Sequence, residues 1–188
     1  MVLLFTVAEN YYIYTLFTPV EFILFAMMFR IWNTGRRLER FFAASIPVFL
    51  VVWLGGMIWA SVTSATADAT YVQMVKSNIW NFENILLSAE SVYFIIAAIG
   101  TLFVWLRDED HALLGNGKFW VTAAVLIYYS GNLFVFTFMT LILEIEVFKD
   151  AWYIHTVLNI LKNLLYALGL VYAGKVAATI VHEKITDN

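Results

Sequence analysis

A lysine, a histidine and two asparagines interrupt one of the apolar segments of this chain. In the stretch WYIHTVLNILKNLLYALGL, residues 152–170, steps of four and three residues separate His155, Asn159 and Lys162. Such steps place side chains on one face of an α-helix. An ammonium and an imidazole on one face can hold an anion or relay protons, and Asn163 follows directly. These side chains are the first candidates for a functional site.

Polar residues interrupt three other apolar segments. Glu21 lies in TPVEFILFAMMF, Glu90 in NFENILLSAESVYF and Asn132 in YYSGNLFVF. At about 1.5 Å per residue, Glu21, Asn132 and Lys162 each lie about ten residues from the same membrane surface. The sequence therefore predicts that three helices place their most polar groups on one level.

An ammonium in hydrocarbon is costly, so ionisable groups in membrane spans usually face the interior of a bundle and meet partners there. We expect Glu21, or otherwise Glu90, to pair with Lys162. Further hydrogen bonds would come from Asn132, Asn159 and Asn163. Two interpretations stay open: the pair fastens helices together, or these groups line a cavity that binds a ligand or passes a proton.

Aromatic residues are expected to form a wall around these polar groups. They are Tyr14, Tyr128, Tyr129, Phe136 and Tyr166. An apolar lining with a few placed polar groups is usual for a small-molecule site. The favoured interpretation is a site for a small amphiphile or an anion, with Lys162 as its charge partner.

The helices that carry these residues are predicted to lie in a membrane. Of the 188 residues, 62% are hydrophobic and only 13% are charged, far from the balance of a soluble domain. A net charge of −3 argues against a nucleic-acid partner and a polybasic lipid anchor. The absence of cysteine excludes disulfides and thiolate metal sites. We expect no cleaved signal peptide, because the first residues, MVLLFTVAEN, have no basic region.

Five segments are long and apolar enough to span a bilayer, which needs roughly 20 residues. They are residues 11–32, 41–62, 84–106, 119–143 and 152–175. Lys and Arg concentrate on one side of these spans, and that side should be cytoplasmic. The prediction is an all-α bundle of five transmembrane helices forming a single domain in the cell (inner) membrane. Its amino terminus would be outside and its carboxyl terminus cytoplasmic.

The connection over residues 64–82 is the longest predicted loop. It is either an ordinary connector or a short amphipathic helix with Trp80 and Phe82 at the membrane interface. In the second span, Pro47 and the pair Gly55 and Gly56 are expected to bend the helix or to let a neighbour approach closely.

Enzyme and cofactor chemistry find little support. No GxSxG, HExxH or Walker motif occurs, so we expect no enzyme. Haem held between helices commonly uses two imidazoles, and His155 is the only histidine within a predicted span. A retinal Schiff base on Lys162 would fit a bundle of seven helices better than one of five. We expect no cofactor and no metal.

Two stretches carry a family resemblance. KFWVTAAVLIYYSGNLF and AWYIHTVLNILKNLLYALGL resemble the FW…YSG and W…IH…LN…KN patterns in the last two helices of a family of small bacterial polytopic membrane proteins. YYIYTLFTPVEF is similar to an earlier helix of that family with a central glutamate. The likeness covers roughly residues 10–175. It implies about two further helices ahead of the first span, with MVLLFTVAEN as the stub of the second.

The resemblance also implies a sensor or accessory role, working with a separate signalling kinase or another membrane protein, and no reaction. The positions that match its polar pattern are Glu21, Asn132, His155, Asn159, Lys162 and Asn163. Three functions therefore remain in view. They are a ligand-sensing or ligand-binding module, an accessory subunit of a larger membrane complex, and a path for protons or ions.

Overall fold

The chain is all-α over the residues that the structure, a computed structural model, describes: 11–64, 71–108, 113–142 and 148–186. Its side chains are described over 16–59, 62, 82, 85–107, 114–135 and 153–175. The helices are α1 (Tyr11–Trp32), α2 (Arg37–Ser64), α3 (Tyr71–Asp108), α4 (Gly117–Ile142) and α5 (Phe148–Thr186). A 3-10 turn, Leu113–Gly115, precedes α4. No strand occurs among the described residues, which confirms the predicted helical class.

Three of these helices are long and apolar enough to cross a membrane. The apolar stretches are Arg37–Trp59 in α2, Ile85–Arg107 in α3 and Tyr153–Lys175 in α5. They overlap the second, third and fifth predicted spans. This length and composition are those of a membrane protein. The first and fourth predicted spans coincide with the helices α1 and α4.

The third helix begins earlier than the sequence analysis predicted. Residues 71–82, taken as part of a loop, form the first turns of α3, which has 38 residues. The stretch contains no proline and no glycine, so the backbone meets no helix breaker before the apolar segment. The ring of Phe82 packs against Gly56 of α2, and its place at the membrane interface stays a prediction.

The chain divides into two compact units, one ending at Glu90 and the other beginning at Ser91, so α3 contributes to both. In the first unit α1 and α2 form an antiparallel hairpin. The rings of Phe22 and Phe49 stack with centroids 3.8 Å apart, and those of Phe29 and Phe42 lie 5.6 Å apart. The buried side of α1 combines these two rings, Phe22 and Phe29, with Thr18 and Ala26.

The turn between α1 and α2 is fixed by hydrogen bonds and one glycine. The Nδ2 of the fully buried Asn33 donates to the carbonyl of Phe29 at 2.8 Å. Gly35 adopts a φ of 78°, which L side chains rarely take, and its N–H donates to Glu39 at 2.7 Å. The same carboxylate lies 3.9 Å from Arg30. These contacts turn the chain sharply enough for two antiparallel helices.

In the second unit α4 and α5 run antiparallel and in close contact. A Cβ built on Gly117 would collide with the carbonyl of Gly169 and reach the nitrogen of Ala173 at 3.0 Å. Small residues allow helix backbones in a bilayer to approach in this way. Asn116 caps α4, because its Oδ1 accepts the N–H of Lys118 at 3.0 Å.

The side of α5 that faces the rest of its unit is a narrow seam. Between residues 153 and 175 every fully or partly buried position falls on one repeat of three and four residues. These positions are His155, Leu158, Asn159, Lys162, Leu165, Tyr166, Gly169 and Tyr172. A repeat of 3.5 residues is typical of helices that pack side by side with a small crossing angle. The seam fixes which side chains of α5 meet α4.

Candidate functional site

The site is built on His155, which lies on the buried seam of α5. Its Nδ1 is 2.9 Å from the Oδ1 of Asn132, on α4. Asn132 is 3% exposed and lies within an apolar helix, so its side chain has little access to water. The imidazole and the amide satisfy one another across the two helices.

Asn159 completes the chain of hydrogen bonds one helical turn along α5. Its Nδ2 donates to the Nε2 of His155 at 2.9 Å. Because an amide nitrogen can only donate, the Nε2 accepts, and the Nδ1–H donates to the Oδ1 of Asn132. The two contacts therefore select a neutral imidazole in a single tautomer.

Lys162 lies one further turn along α5 and contacts an aromatic ring. Its Nζ is 3.7 Å from the centroid of the Tyr128 ring, on α4. A cation over the face of an aromatic ring is attracted by the electrons of the ring, and the attraction is largest where water is excluded. Tyr128 is buried, so the ammonium lies at the edge of the packed core.

The buried wall of the site is aromatic. The ring of Tyr129 is 4% exposed and lies 4.8 Å from the ring of Phe94, on the part of α3 in the same unit. The rings of Tyr128 and Tyr129 lie 5.2 Å apart, edge to face. These contacts hold Tyr128 in place, and so they also hold the surface against which Lys162 lies.

The arrangement places an ammonium and a neutral imidazole two turns apart on one helix, against an apolar wall. His155, Asn159 and Lys162 are all partly exposed at this seam, so none is sealed inside the protein. An anionic group could approach the ammonium there, and an apolar chain could lie along the aromatic surface. Within the described residues no cluster of three or more His, Asp or Glu side chains could hold a metal ion.

Four of the seven predicted site residues come together in this site: Asn132, His155, Asn159 and Lys162. Asn163 does not lie on the seam, because the structure leaves its side chain exposed. Tyr128 and Tyr129 of the predicted aromatic wall are buried here. Tyr14 and Phe136 lie outside the described side chains.

The two predicted carboxylates belong to the first unit. Glu21 is partly exposed on α1. Glu90 is 2% exposed on α3, and its Oε1 has no hydrogen-bond partner among the described residues. Pairing of Lys162 with Glu21 or Glu90 would join the two units, and it stays a prediction.

The contact between Lys162 and Tyr128 was not predicted from the sequence. The sequence does contain a signal for it, because Tyr128 and Asn132 are four residues apart and so lie on one face of α4. That face of α4 therefore carries the partner of Lys162, which is Tyr128, and the partner of His155, which is Asn132.

Comparison with known proteins gives no further assignment. No family model, no curated protein and no solved structure matches this chain. The resemblance to the family of small polytopic membrane proteins therefore stays a prediction.

Proposed function

We propose that this chain is a multi-pass protein of the cell (inner) membrane that binds a small amphipathic anion at the site formed by α4 and α5, and that it acts as a sensor. The proposed topology has five spans, with the amino terminus outside and the carboxyl terminus in the cytoplasm. The observation that carries the proposal is the position of Lys162, whose ammonium lies on the Tyr128 ring beside the hydrogen-bonded His155.

The ligand class follows from the charges and surfaces at the site. A cation inside a membrane span attracts an anionic group much more strongly than the same cation in water would. The neutral His155 adds no charge of its own, and its two hydrogen bonds fix its orientation. The aromatic wall favours an apolar tail over a fully hydrated ion. A medium-chain carboxylate combines both features.

The proposal can be tested with decanoate as the probe. The protein would be placed in nanodiscs of zwitterionic lipid, and retention of labelled decanoate would be measured against empty nanodiscs. Decanol and decyltrimethylammonium, with the same chain but no negative charge, serve as ligand controls. We expect saturable retention of decanoate alone.

Lysine variants identify the site. Lys162→Met should weaken decanoate retention at least tenfold, the effect of losing about 1.4 kcal/mol of binding free energy. Lys175→Met is the matched control, because Lys175 also lies on α5 over a tyrosine ring, at 5.4 Å from the centroid of Tyr172. Equal retention by the Lys162→Met variant and the unmodified protein would contradict the proposal.

An accessory role in a larger membrane complex is the second candidate, and the exposed apolar sides of two helices favour it. Only 11% of the apolar stretch of α2 and 6% of that of α5 are buried. A partner protein, such as the membrane protein or signalling kinase that the resemblance implies, could cover these sides. Copurification of one stoichiometric partner from the native membrane, without decanoate binding, would favour this candidate.

Proton or ion movement is the third candidate, and the buried Glu90 is the observation that favours it. A carboxyl group at 2% exposure whose Oε1 has no hydrogen-bond partner among the described residues is unusual in a membrane span. A proton flux in liposomes that is lost on Glu21→Gln or Glu90→Gln would place this function ahead of sensing.

A further inference from the structure

The outward side of α5 carries a second seam, about a third of a turn around the helix from the one that meets α4. Steps of four and three residues relate its members, and all of them are exposed. They are Thr156, Ile160, Asn163, Ala167, Leu170 and Gly174, which we call the Asn163 face. The repeat of 3.5 residues is the one that suits packing against another helix.

Asn163 carries a polar carboxamide, which is unsuited to contact with the acyl chains of lipids. It lies about halfway along the apolar stretch Tyr153–Lys175, which is long and apolar enough to cross a membrane. Its side chain is exposed, and it makes no hydrogen bond with any residue that the structure describes. A carboxamide without hydrogen-bond partners is poorly accommodated in hydrocarbon. Among the described residues the amide therefore has no partner, and a second helix could supply one.

We propose that the Asn163 face binds a second copy of this chain, with the two Asn163 amides hydrogen-bonded across a two-fold axis. An amide carries both a donor and an acceptor, so two identical amides related by such an axis satisfy each other. A second copy of the chain supplies this complementary donor and acceptor without any other protein. Asparagine side chains are known to hold membrane helices together by this kind of contact.

The shape of the face agrees with close contact between helices. Ala167 and Gly174 follow Asn163 on the same seam, and a Cβ built on Gly174 would meet nothing within 4 Å. Small residues at these positions let a second helix approach. The adjacent outward seam differs, since it contains only large apolar side chains: Val157, Leu161, Leu164, Leu168 and Val171. That seam suits contact with acyl chains.

The chain contains no cysteine, so single cysteines can report contacts between copies without interference. Asn163→Cys and Ala167→Cys, made one at a time in the full chain, should form disulfide-linked dimers under mild oxidation in the membrane. Leu164→Cys and Leu168→Cys are the matched controls, because each differs by one position and lies on the other seam. We expect at least a tenfold difference in cross-linked fraction between the two pairs.

Two further variants separate the amide from the shape of the helix. Asn163→Leu suits a lipid-facing position and should fold, but it should reduce dimerisation at least tenfold when the protein is diluted in lipid and followed by energy transfer between labelled copies. Asn163→Gln keeps an amide and should keep most of the dimer. Cross-linking that is strongest at positions 164 and 168, or equal dimerisation of Asn163→Leu and the unmodified chain, would overturn the proposal. Cross-linking of Asn163→Cys to a different protein only would also overturn it.

Discussion

At the scale of single residues, the His155 imidazole is held in one tautomer because its two nitrogens have different kinds of partner. Asn159 donates to Nε2 and Asn132 accepts from Nδ1. The spacing of His155, Asn159 and Lys162 was enough to predict that they share a face, since helical geometry alone decides it. The partners on α4 were harder to predict, because sequence spacing does not state which face of one helix meets which face of another.

Lys162 and Tyr128 should be energetically coupled. A double-mutant cycle with Lys162→Met and Tyr128→Leu, measured by reversible unfolding in mixed detergent micelles, should give a coupling free energy of about 0.5–2 kcal/mol. Tyr128→Phe keeps the ring and should retain most of the coupling. Strictly additive effects of the two changes would show that the ammonium gains nothing from the ring.

Asn132 should contribute to stability through its hydrogen bond to His155. Asn132→Leu leaves the Nδ1–H of a partly buried imidazole without its acceptor, and we expect the free energy of unfolding to fall by about 1–3 kcal/mol. Ser130→Ala on the same helix is the control, because Ser130 is exposed and its loss should change little. An Asn132→Leu variant as stable as the control would contradict the contact.

At the scale of helices, the five helices could be predicted, and α1 has its predicted bounds, whereas α3 and α5 extend well beyond their predicted spans. Long apolar stretches separated by polar runs indicate helices reliably when the solvent is a bilayer. The start of α3 at Tyr71 was missed because residues 71–82 are polar enough to resemble a loop, although nothing in them breaks a helix. The close approach of α4 and α5 at Gly117 also depends on packing that the sequence does not state.

Gly117 should tolerate no side chain. Gly117→Ala would force the Cβ against the backbone of Gly169 and Ala173, and backbone cannot move aside cheaply. We expect a loss of about 1–3 kcal/mol in the free energy of unfolding. Gly115→Ala, two residues earlier, is the control because its Cβ would meet nothing within 4 Å. Equal stability of the two variants would argue against the close contact of α4 and α5.

The neighbouring pair Gly55 and Gly56 provides the same test in the first unit. Gly56→Ala collides with the ring of Phe82, whereas a Cβ on Gly55 meets nothing within 4 Å. The first change should destabilise the protein, and the second should be neutral or stabilise it by about 0.5–1 kcal/mol. In a Phe82→Ala background the loss of stability caused by Gly56→Ala should disappear. Thermal unfolding of Gly55→Ala, Gly56→Ala, Phe82→Ala and the double variant Gly56→Ala/Phe82→Ala would measure this. A cost that persists in that background would contradict packing of Phe82 on Gly56.

At the scale of the whole molecule, three of the helices in the described part of the chain have the length and composition to cross a membrane. The topology with five spans is a proposal from the distribution of Lys and Arg. It predicts that a cysteine at position 34, between α1 and α2, reacts with an impermeant maleimide only after intact cells are opened. A cysteine at position 149 should react in intact cells. The reverse labelling pattern would reverse the proposed orientation.

The central claim is that His155, as a neutral imidazole beside Lys162, forms part of an anion site. The most direct measurement is nitrogen-15 nuclear magnetic resonance of the protein in nanodiscs, with its histidines labelled with nitrogen-15. The His155→Gln variant identifies the signals of His155. We predict that His155 carries its proton on Nδ1 at neutral pH. Its signals should shift saturably with decanoate, while those of His111 and His182 stay in place. A proton on Nε2, or His155 signals that decanoate leaves unchanged, would contradict the account.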